Sequence, residues 1–78
     1  MYKGPKIEGN ALILKDEVLN IKMVYKISRI EPGNEKGEYC FRVYQQDYKK
    51  PPYRFWTPCD FRTKKQLEAF RNQLIKAL

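Results

Sequence analysis

The spacing of the apolar side chains changes near residue 60, and this change limits the possible folds more than any other feature of the sequence. In residues 38–46 and 53–57, apolar and polar side chains alternate, which is typical of half-buried β-strands. Thr63 and Gln66 stand where a capping box begins a helix, so we predict a helix over residues 63–78. Within it, apolar side chains recur at helical spacing, at Leu67, Phe70, Leu74 and Leu78.

The first part of the chain carries weaker patterns. Residues 1–9 contain a proline and two glycines, which favour an irregular amino-terminal arm. The apolar run at 11–14 predicts either a first strand or a helical turn that extends to Leu19. Residues 20–30 alternate and predict a strand, which a turn rich in Gly and Pro follows at 31–37. This strand would place Ile21, Met23, Tyr25 and Ile27 on one face and Lys22, Val24, Lys26 and Ser28 on the other.

A single domain covers residues 1–78, because 78 residues suffice for one small hydrophobic core. We predict the α+β class, with a three- to four-stranded antiparallel sheet in residues 10–58 and one carboxy-terminal helix packed on one face. The helix needs an apolar partner, and one face of the sheet supplies it through Ile21, Met23, Tyr39, Phe41, Val43, Tyr53 and Phe55.

The chain lacks the residue types on which many enzyme and metal sites depend. It contains no histidine, and its two cysteines, Cys40 and Cys59, are too far apart in sequence for a C-x-x-C pair. Histidine is the commonest general base and, with cysteine, the usual zinc ligand. We therefore predict a protein that is not an enzyme and uses no cofactor or metal. The cysteines are expected to be free thiols in the cytoplasm, although the sequence leaves open a disulfide between them.

The charge of the chain indicates an anionic partner. Sixteen Lys and Arg residues against nine Asp and Glu residues give a net charge of +7, which favours binding to nucleic acid. The longest apolar run, at 11–14, is far shorter than the roughly 18 residues of a membrane span, and no signal-peptide pattern opens the sequence. A membrane-surface role is disfavoured because the core uses the apolar stripe of the helix. We expect no membrane partner.

The second face of the predicted sheet is the main candidate site. Arginine and lysine bind phosphates or guanine edges, and aromatic rings contact sugars, thymine methyl groups or unstacked bases. The alternation assigns no acidic residue to this face and places on it Lys22, Lys26, Arg42, Tyr44, Gln46, Arg54 and Trp56. A structural alternative is that Tyr44 and Trp56 stiffen the sheet as a cross-strand pair while the cations are merely solvated.

Basic residues also lie at the start of the predicted helix and in the loop before the last strand. Arg62, Lys64 and Lys65 oppose the helix dipole, at a cost of roughly 0.3–1 kcal/mol each. Because backbone amides at a helix start attract anions, these residues form a candidate phosphate clamp, or else they are tolerated as exposed cations. Lys49 and Lys50 would add contacts to the backbone of a bound nucleic acid, or else keep their loop soluble.

Residues 38–74 resemble a known type of DNA-binding domain. Glu-Tyr-Cys-Phe-Arg-Val-Tyr, a turn with Lys and Pro, Tyr-Arg-Phe-Trp and then Phe-Arg-Thr-Lys-Lys-Gln-Leu-Glu-Ala-Phe are similar to the amino-terminal arm-type domain of phage and transposon tyrosine integrases, itself similar to the plant AP2 domain. The resemblance implies a three-stranded sheet laid in the major groove and braced by one helix. It would place near DNA the side chains of Arg42, Tyr44, Arg54, Trp56, Lys64 and Lys65.

Two functions are compatible with these features. The first is a small non-enzymatic nucleic-acid-binding module, with DNA favoured over RNA and duplex DNA as the expected ligand. The second is a phage- or plasmid-type adaptor or inhibitor that binds an acidic or nucleic-acid-binding protein. Its anchors would be Tyr44, Tyr48 and Trp56, since Tyr and Trp are enriched at interface hot spots, or an outer strand that joins a partner's sheet. The sequence favours the first function because the sign of the charge and the geometry agree.

Overall fold

The computed structural model describes residues 4–47 and 49–78. These residues form two antiparallel sheets and a carboxy-terminal helix, so the predicted α+β class is confirmed. The first sheet contains β1 (Lys6–Glu8), β2 (Ala11–Ile13) and β3 (Val18–Asn20). The second contains β4 (Val24–Ile27), β5 (Glu31–Pro32), β6 (Tyr39–Gln45) and β7 (Tyr53–Thr57), and the helix α1 (Lys64–Ala77) follows it. In the described part of the chain, no helix is long and apolar enough to cross a membrane.

The first sheet is a meander in which β2 pairs with both β1 and β3. Gly9, at φ +58°, permits the tight turn between β1 and β2. The predicted irregular arm is wrong for residues 6–8, because pairing with β2 holds them extended and brings Ile7 opposite Leu12 at the core. For the apolar run that begins at Ala11, the strand is confirmed and the helical turn is wrong.

β6 is the central strand of the second sheet. β7 pairs along one edge of β6, with Phe41 opposite Phe55 and Arg42 opposite Arg54. β4 and β5 follow each other along the other edge. The two long strands predicted from alternation, β6 and β7, are confirmed, and the register keeps their apolar residues on a common face.

A 3₁₀ turn interrupts the strand predicted for residues 20–30. The turn spans Ile21–Met23, and the Asn20 side chain caps it by accepting a hydrogen bond of 3.0 Å from the Lys22 N–H. Asn side chains commonly bond to nearby backbone in this way and so compete with a ladder. The prediction of a continuous strand is therefore wrong, and Lys22 lies outside the ladder instead of on a face of the sheet.

A β-bulge in β4 then exchanges the predicted faces of Val24 and Tyr25, whereas Lys26 and Ile27 keep theirs. The ladder of β4 with β6 changes register between Val24 and Lys26. A bulge inserts an extra residue, so the side chains on its two sides are out of step with a strict alternation. Val24 is therefore buried, whereas Tyr25, predicted on the same face as Ile21, is 61% exposed. Met23, predicted for the core, is 44% exposed because it lies in the 3₁₀ turn.

The core lies between the helix and the inner faces of the sheets. Leu67, Phe70 and Leu74 are buried as the helical spacing predicts, but Leu78 at the end of the stripe is 55% exposed. The Phe70 ring packs against Phe55 of β7, with ring centroids 5.3 Å apart. The strands and turns ahead of α1 contribute the other buried apolar side chains, Leu12, Leu14, Leu19, Ile21, Val24, Phe41 and Val43.

The helix begins at the predicted cap. The Oγ1 atom of Thr63 accepts a hydrogen bond of 3.2 Å from the Gln66 N–H. Gln66 also reaches back, but its Oε1 accepts from the Arg62 N–H at 2.9 Å and not from Thr63. The helix and the first sheet, through Leu12 and Leu19, contribute to the same core on the inner side of the second sheet. Neither of them therefore covers the opposite side.

Candidate nucleic-acid interface

Cross-strand pairing brings both arginines and the tryptophan of the second sheet onto one face. Arg42 of β6 pairs with Arg54 of β7, and Cys40 pairs with Trp56. Directly paired residues point to the same side of a sheet. Phe41, between Cys40 and Arg42, is fully buried in the core, so its neighbours point away from the core. The predicted placement of Arg42, Arg54 and Trp56 on a common face is confirmed.

Two residues of β4 extend this face at its edge. Lys26 pairs with Tyr44, and its Nζ lies 4.9 Å from the centre of the Tyr44 ring, within cation–π range. The Tyr25 ring lies 6.2 Å from the Tyr44 ring and is tilted by 54° to it. We name this surface the outer face, and it consists of Tyr25, Lys26, Arg42, Tyr44, Arg54 and Trp56. Sequence reasoning missed Tyr25, because only the bulge brings it to this side.

Arg42 is held in the middle of the outer face. Its backbone N–H donates to the Ser28 Oγ at 2.7 Å. Its side-chain Nε is buried and has no hydrogen-bond partner among the described residues. Interaction with the Tyr44 side chain raises the pKa of the Arg42 guanidinium from its ordinary value, so Arg42 is positively charged at every physiological pH.

The two arginines form a like-charged pair. Like charges placed directly opposite each other destabilise a sheet, by roughly 0.2–1 kcal/mol. Neither guanidinium forms a salt bridge within residues 4–47 and 49–78. Arg54 instead places its Cζ 5.9 Å from the centre of the Trp56 ring. The charge of the pair is therefore available to an external anion.

One acidic residue shares the side of the sheet that carries the outer face. Glu31 pairs with Cys40, so its side chain points the same way as that of Arg42. The prediction that this face carries no acidic residue is wrong, because the segment predicted as a turn begins with the short strand β5. Glu31 lies at one end of the face and forms no salt bridge with any described residue.

Both cysteines are free thiols, so the disulfide that the sequence left open does not form. Cys40 is buried beside Trp56, at 5% exposure, whereas Cys59 is exposed. A buried thiol of this kind acts as a small apolar side chain that supports the outer face.

The loop after β6 carries three other predicted residues beyond the ladder. Gln46 is exposed, and its N–H donates to a carbonyl of the 3₁₀ turn at 2.7 Å. Lys49 and Lys50 are exposed. The Lys49 N–H donates to the Asp47 Oδ1 at 3.1 Å, and the Lys50 N–H donates to the Asp47 carbonyl at 3.0 Å. Tyr48, predicted as an exposed anchor, lies outside the described residues.

The basic start of α1 lies on the inner side of the second sheet. The Lys64 Nζ is 4.7 Å from the centre of the Tyr39 ring and 3.8 Å from the Glu68 Oε1. Tyr39 packs against the core, so Lys64 is not part of the outer face. Arg62 and Lys65 are exposed at the same helix start. The structure therefore does not join all the predicted residues into one surface, and it separates the helix start from the outer face.

Among the residues that the structure describes, no group of three His, Cys, Asp or Glu side chains is arranged to hold a metal ion. No family model, curated protein or solved structure matches this chain. The resemblance to the arm-type domain of integrases therefore remains a prediction.

Proposed function

We propose that this protein is a non-enzymatic module that binds nucleic acid, duplex DNA ahead of RNA, through its outer face. We place its action in the cytoplasm, where free thiols persist. The observation that carries the proposal is the mixture of three cations and three aromatic rings on one uncovered side of a sheet, Tyr25, Lys26, Arg42, Tyr44, Arg54 and Trp56.

Electrostatics supports an anionic polymer as the ligand. A net charge of +7 attracts nucleic acid from a distance. At contact, each cation that neutralises a phosphate releases condensed counterions, which favours binding. Arg42 and Arg54 suit this role because no described carboxylate neutralises them.

The aromatic rings favour a duplex over a single strand. Stacking on unpaired bases requires ring faces that are open to the ligand. Lys26 and Arg54 each lie over one face of the Tyr44 and Trp56 rings, which leaves less ring surface for stacked bases than for contacts with sugars and thymine methyl groups. The resemblance of residues 38–74 to arm-type domains also supports a duplex ligand and a mobile-element context.

A phage- or plasmid-type adaptor or inhibitor that binds an acidic protein is the second candidate. Tyr25 favours it, because this side chain is 61% exposed and tyrosine is a common interface anchor. Strand addition at the Trp56 end of β7 is disfavoured as its mode of binding. The backbone N–H and carbonyl of Trp56 already bond to Asp60 and are not available to a partner strand.

Fluorescence anisotropy with a labelled DNA duplex tests the proposal. Wild-type protein should bind at low salt, and the logarithm of its affinity should fall with the logarithm of salt by about 0.9 for each phosphate contacted. Arg54→Gln should weaken binding more than the matched control Arg29→Gln, which removes an exposed arginine beside α1. No binding at low salt, or equal losses in the two variants, would contradict the proposal. Protein partners that survive nuclease treatment in a pull-down would favour the adaptor.

A further inference from the structure

We propose that Arg42 and Arg54 together hold one phosphate group between their guanidinium heads. The proposal adds detail to the proposed function, and it rests on that function where the phosphate is part of a nucleic-acid backbone. The two residues are direct partners in the β6–β7 ladder. The Cβ atoms of such partners lie about 4.5–5.5 Å apart, so two arginine side chains on one face are long enough to reach the same oxyanion.

No described carboxylate neutralises either guanidinium of the pair. The Arg42 backbone bonds to Ser28, and its buried Nε has no partner among the described residues. Arg54 lies against the Trp56 ring. Glu31, the acidic residue on this side of the sheet, bonds to neither arginine. The repulsion between two such charges is reduced most directly by one anion that accepts hydrogen bonds from both guanidinium groups.

Phosphate fits this pair because each guanidinium is a planar fork of N–H donors that matches two oxygens of an oxyanion. One tetrahedral phosphate has enough oxygens to accept from two such forks. A phosphodiester of nucleic acid and free inorganic phosphate share this chemistry. The experiment therefore has one arm for each source.

The first arm is a titration with inorganic phosphate, followed through the arginine Nε–Hε signals by NMR. The Arg42 and Arg54 signals should shift together and follow one dissociation constant, while the Arg29 signal stays in place. In the Arg42→Gln variant, the shift that phosphate causes in the Arg54 signal should fall to a small fraction of its wild-type size. Separate dissociation constants, or no shift of either signal, would overturn the shared site. Amide spectra of the variant verify that it is folded.

The second arm uses duplex DNA and the double variant Arg42→Gln/Arg54→Gln. Loss of one shared phosphate lowers the salt slope of binding by about 0.9, whereas loss of two separate phosphates lowers it by about 1.8. The larger decrease, or no decrease, would overturn the shared site for nucleic acid. If wild-type protein binds no duplex at all, the proposed function fails, and the phosphate titration alone decides whether the two arginines share an anion.

Discussion

The Asp60 carboxylate accepts a hydrogen bond of 2.9 Å from the backbone N–H of Trp56, and the Asp60 N–H donates to the Trp56 carbonyl, also at 2.9 Å. This reciprocal pair closes the turn after β7 and fixes the backbone that carries the Trp56 ring. It also occupies polar groups of an edge strand, which would otherwise be available to pair with another chain.

Asp60→Ala is expected to lower the free energy of unfolding by about 1–2 kcal/mol, because it removes a charged acceptor and leaves a part-buried N–H without a partner. Urea denaturation measures the change. Asp16→Ala is the matched control, since Asp16 is an exposed carboxylate in the turn after β2, and its effect should stay within about 0.5 kcal/mol. Equal stability of the two variants would show that the Asp60 contact contributes nothing.

Phe70 tests the packing of α1 on the second sheet. Its ring lies 5.3 Å from that of Phe55 and 5.1 Å from that of Phe61, measured between centroids. Phe70→Ala should cost about 3–5 kcal/mol, enough to unfold much of a small domain. Phe70→Leu should remain folded, with a loss of about 1–1.5 kcal/mol.

Leu78→Ala is the control for the Phe70 variants, because Leu78 belongs to the same predicted stripe but is 55% exposed. Thermal and urea denaturation should show little change for it. A loss as large as that of Phe70→Leu would mean that the helix buries a different face.

Tyr53 should make stability depend on alkaline pH. Burial raises the pKa of the Tyr53 phenol above its ordinary value, and nearby carboxylates, led by Asp60, raise it further. The folded protein therefore holds this proton more tightly than the unfolded chain, and the resulting stability is fully present below the unfolded pKa of about 10. It is lost as the pH rises from there through the folded pKa. Denaturation at pH values on both sides of this window should show that Tyr53→Phe loses less of its free energy of unfolding than the wild type. Identical pH profiles for the two proteins would contradict the assignment of this effect to Tyr53.

Tyr25→Ala separates binding from folding. Since the side chain is 61% exposed, its removal should change the free energy of unfolding by no more than about 0.5 kcal/mol. It should weaken duplex binding severalfold, because it removes a ring of the outer face. Met23→Ala is the control, since Met23 is also exposed but lies in the 3₁₀ turn. Anisotropy and urea denaturation measure the two effects, and a loss of stability without a loss of affinity would assign Tyr25 to the fold alone.

The long elements were predictable from sequence because their side chains repeat over enough residues to show a period. β7 contains alternating side chains from Tyr53 to Thr57, and its register with β6 keeps Phe55 in the core and Arg54 outside. The shared face of Arg42, Arg54 and Trp56 follows from that alternation alone. The start of α1 was equally predictable, because Thr63 is a strong capping residue.

The short elements were not predictable, because three residues are too few to show a period. β1 exists through its pairing with β2, and its sequence resembles that of a loop. The 3₁₀ turn is capped by a hydrogen bond from the Lys22 N–H to the Asn20 side chain, a local contact that leaves no mark on the alternation. The bulge after Val24 depends on the ladder with β6. These non-periodic features decide the position of Tyr25, so alternation assigned it to the wrong face.

Trp56 offers the most direct test of the claim that the outer face binds nucleic acid. It is the single tryptophan of the chain, so its fluorescence reports on this face without labelling. Titration with unlabelled duplex DNA at low salt should change the Trp56 emission in a saturable way, and added salt should reverse the change. A contradicting result is binding that anisotropy detects while the Trp56 emission stays constant. If Arg62→Gln or Lys65→Gln also weakens that binding more than Arg54→Gln does, the interface lies at the helix start and the account is wrong.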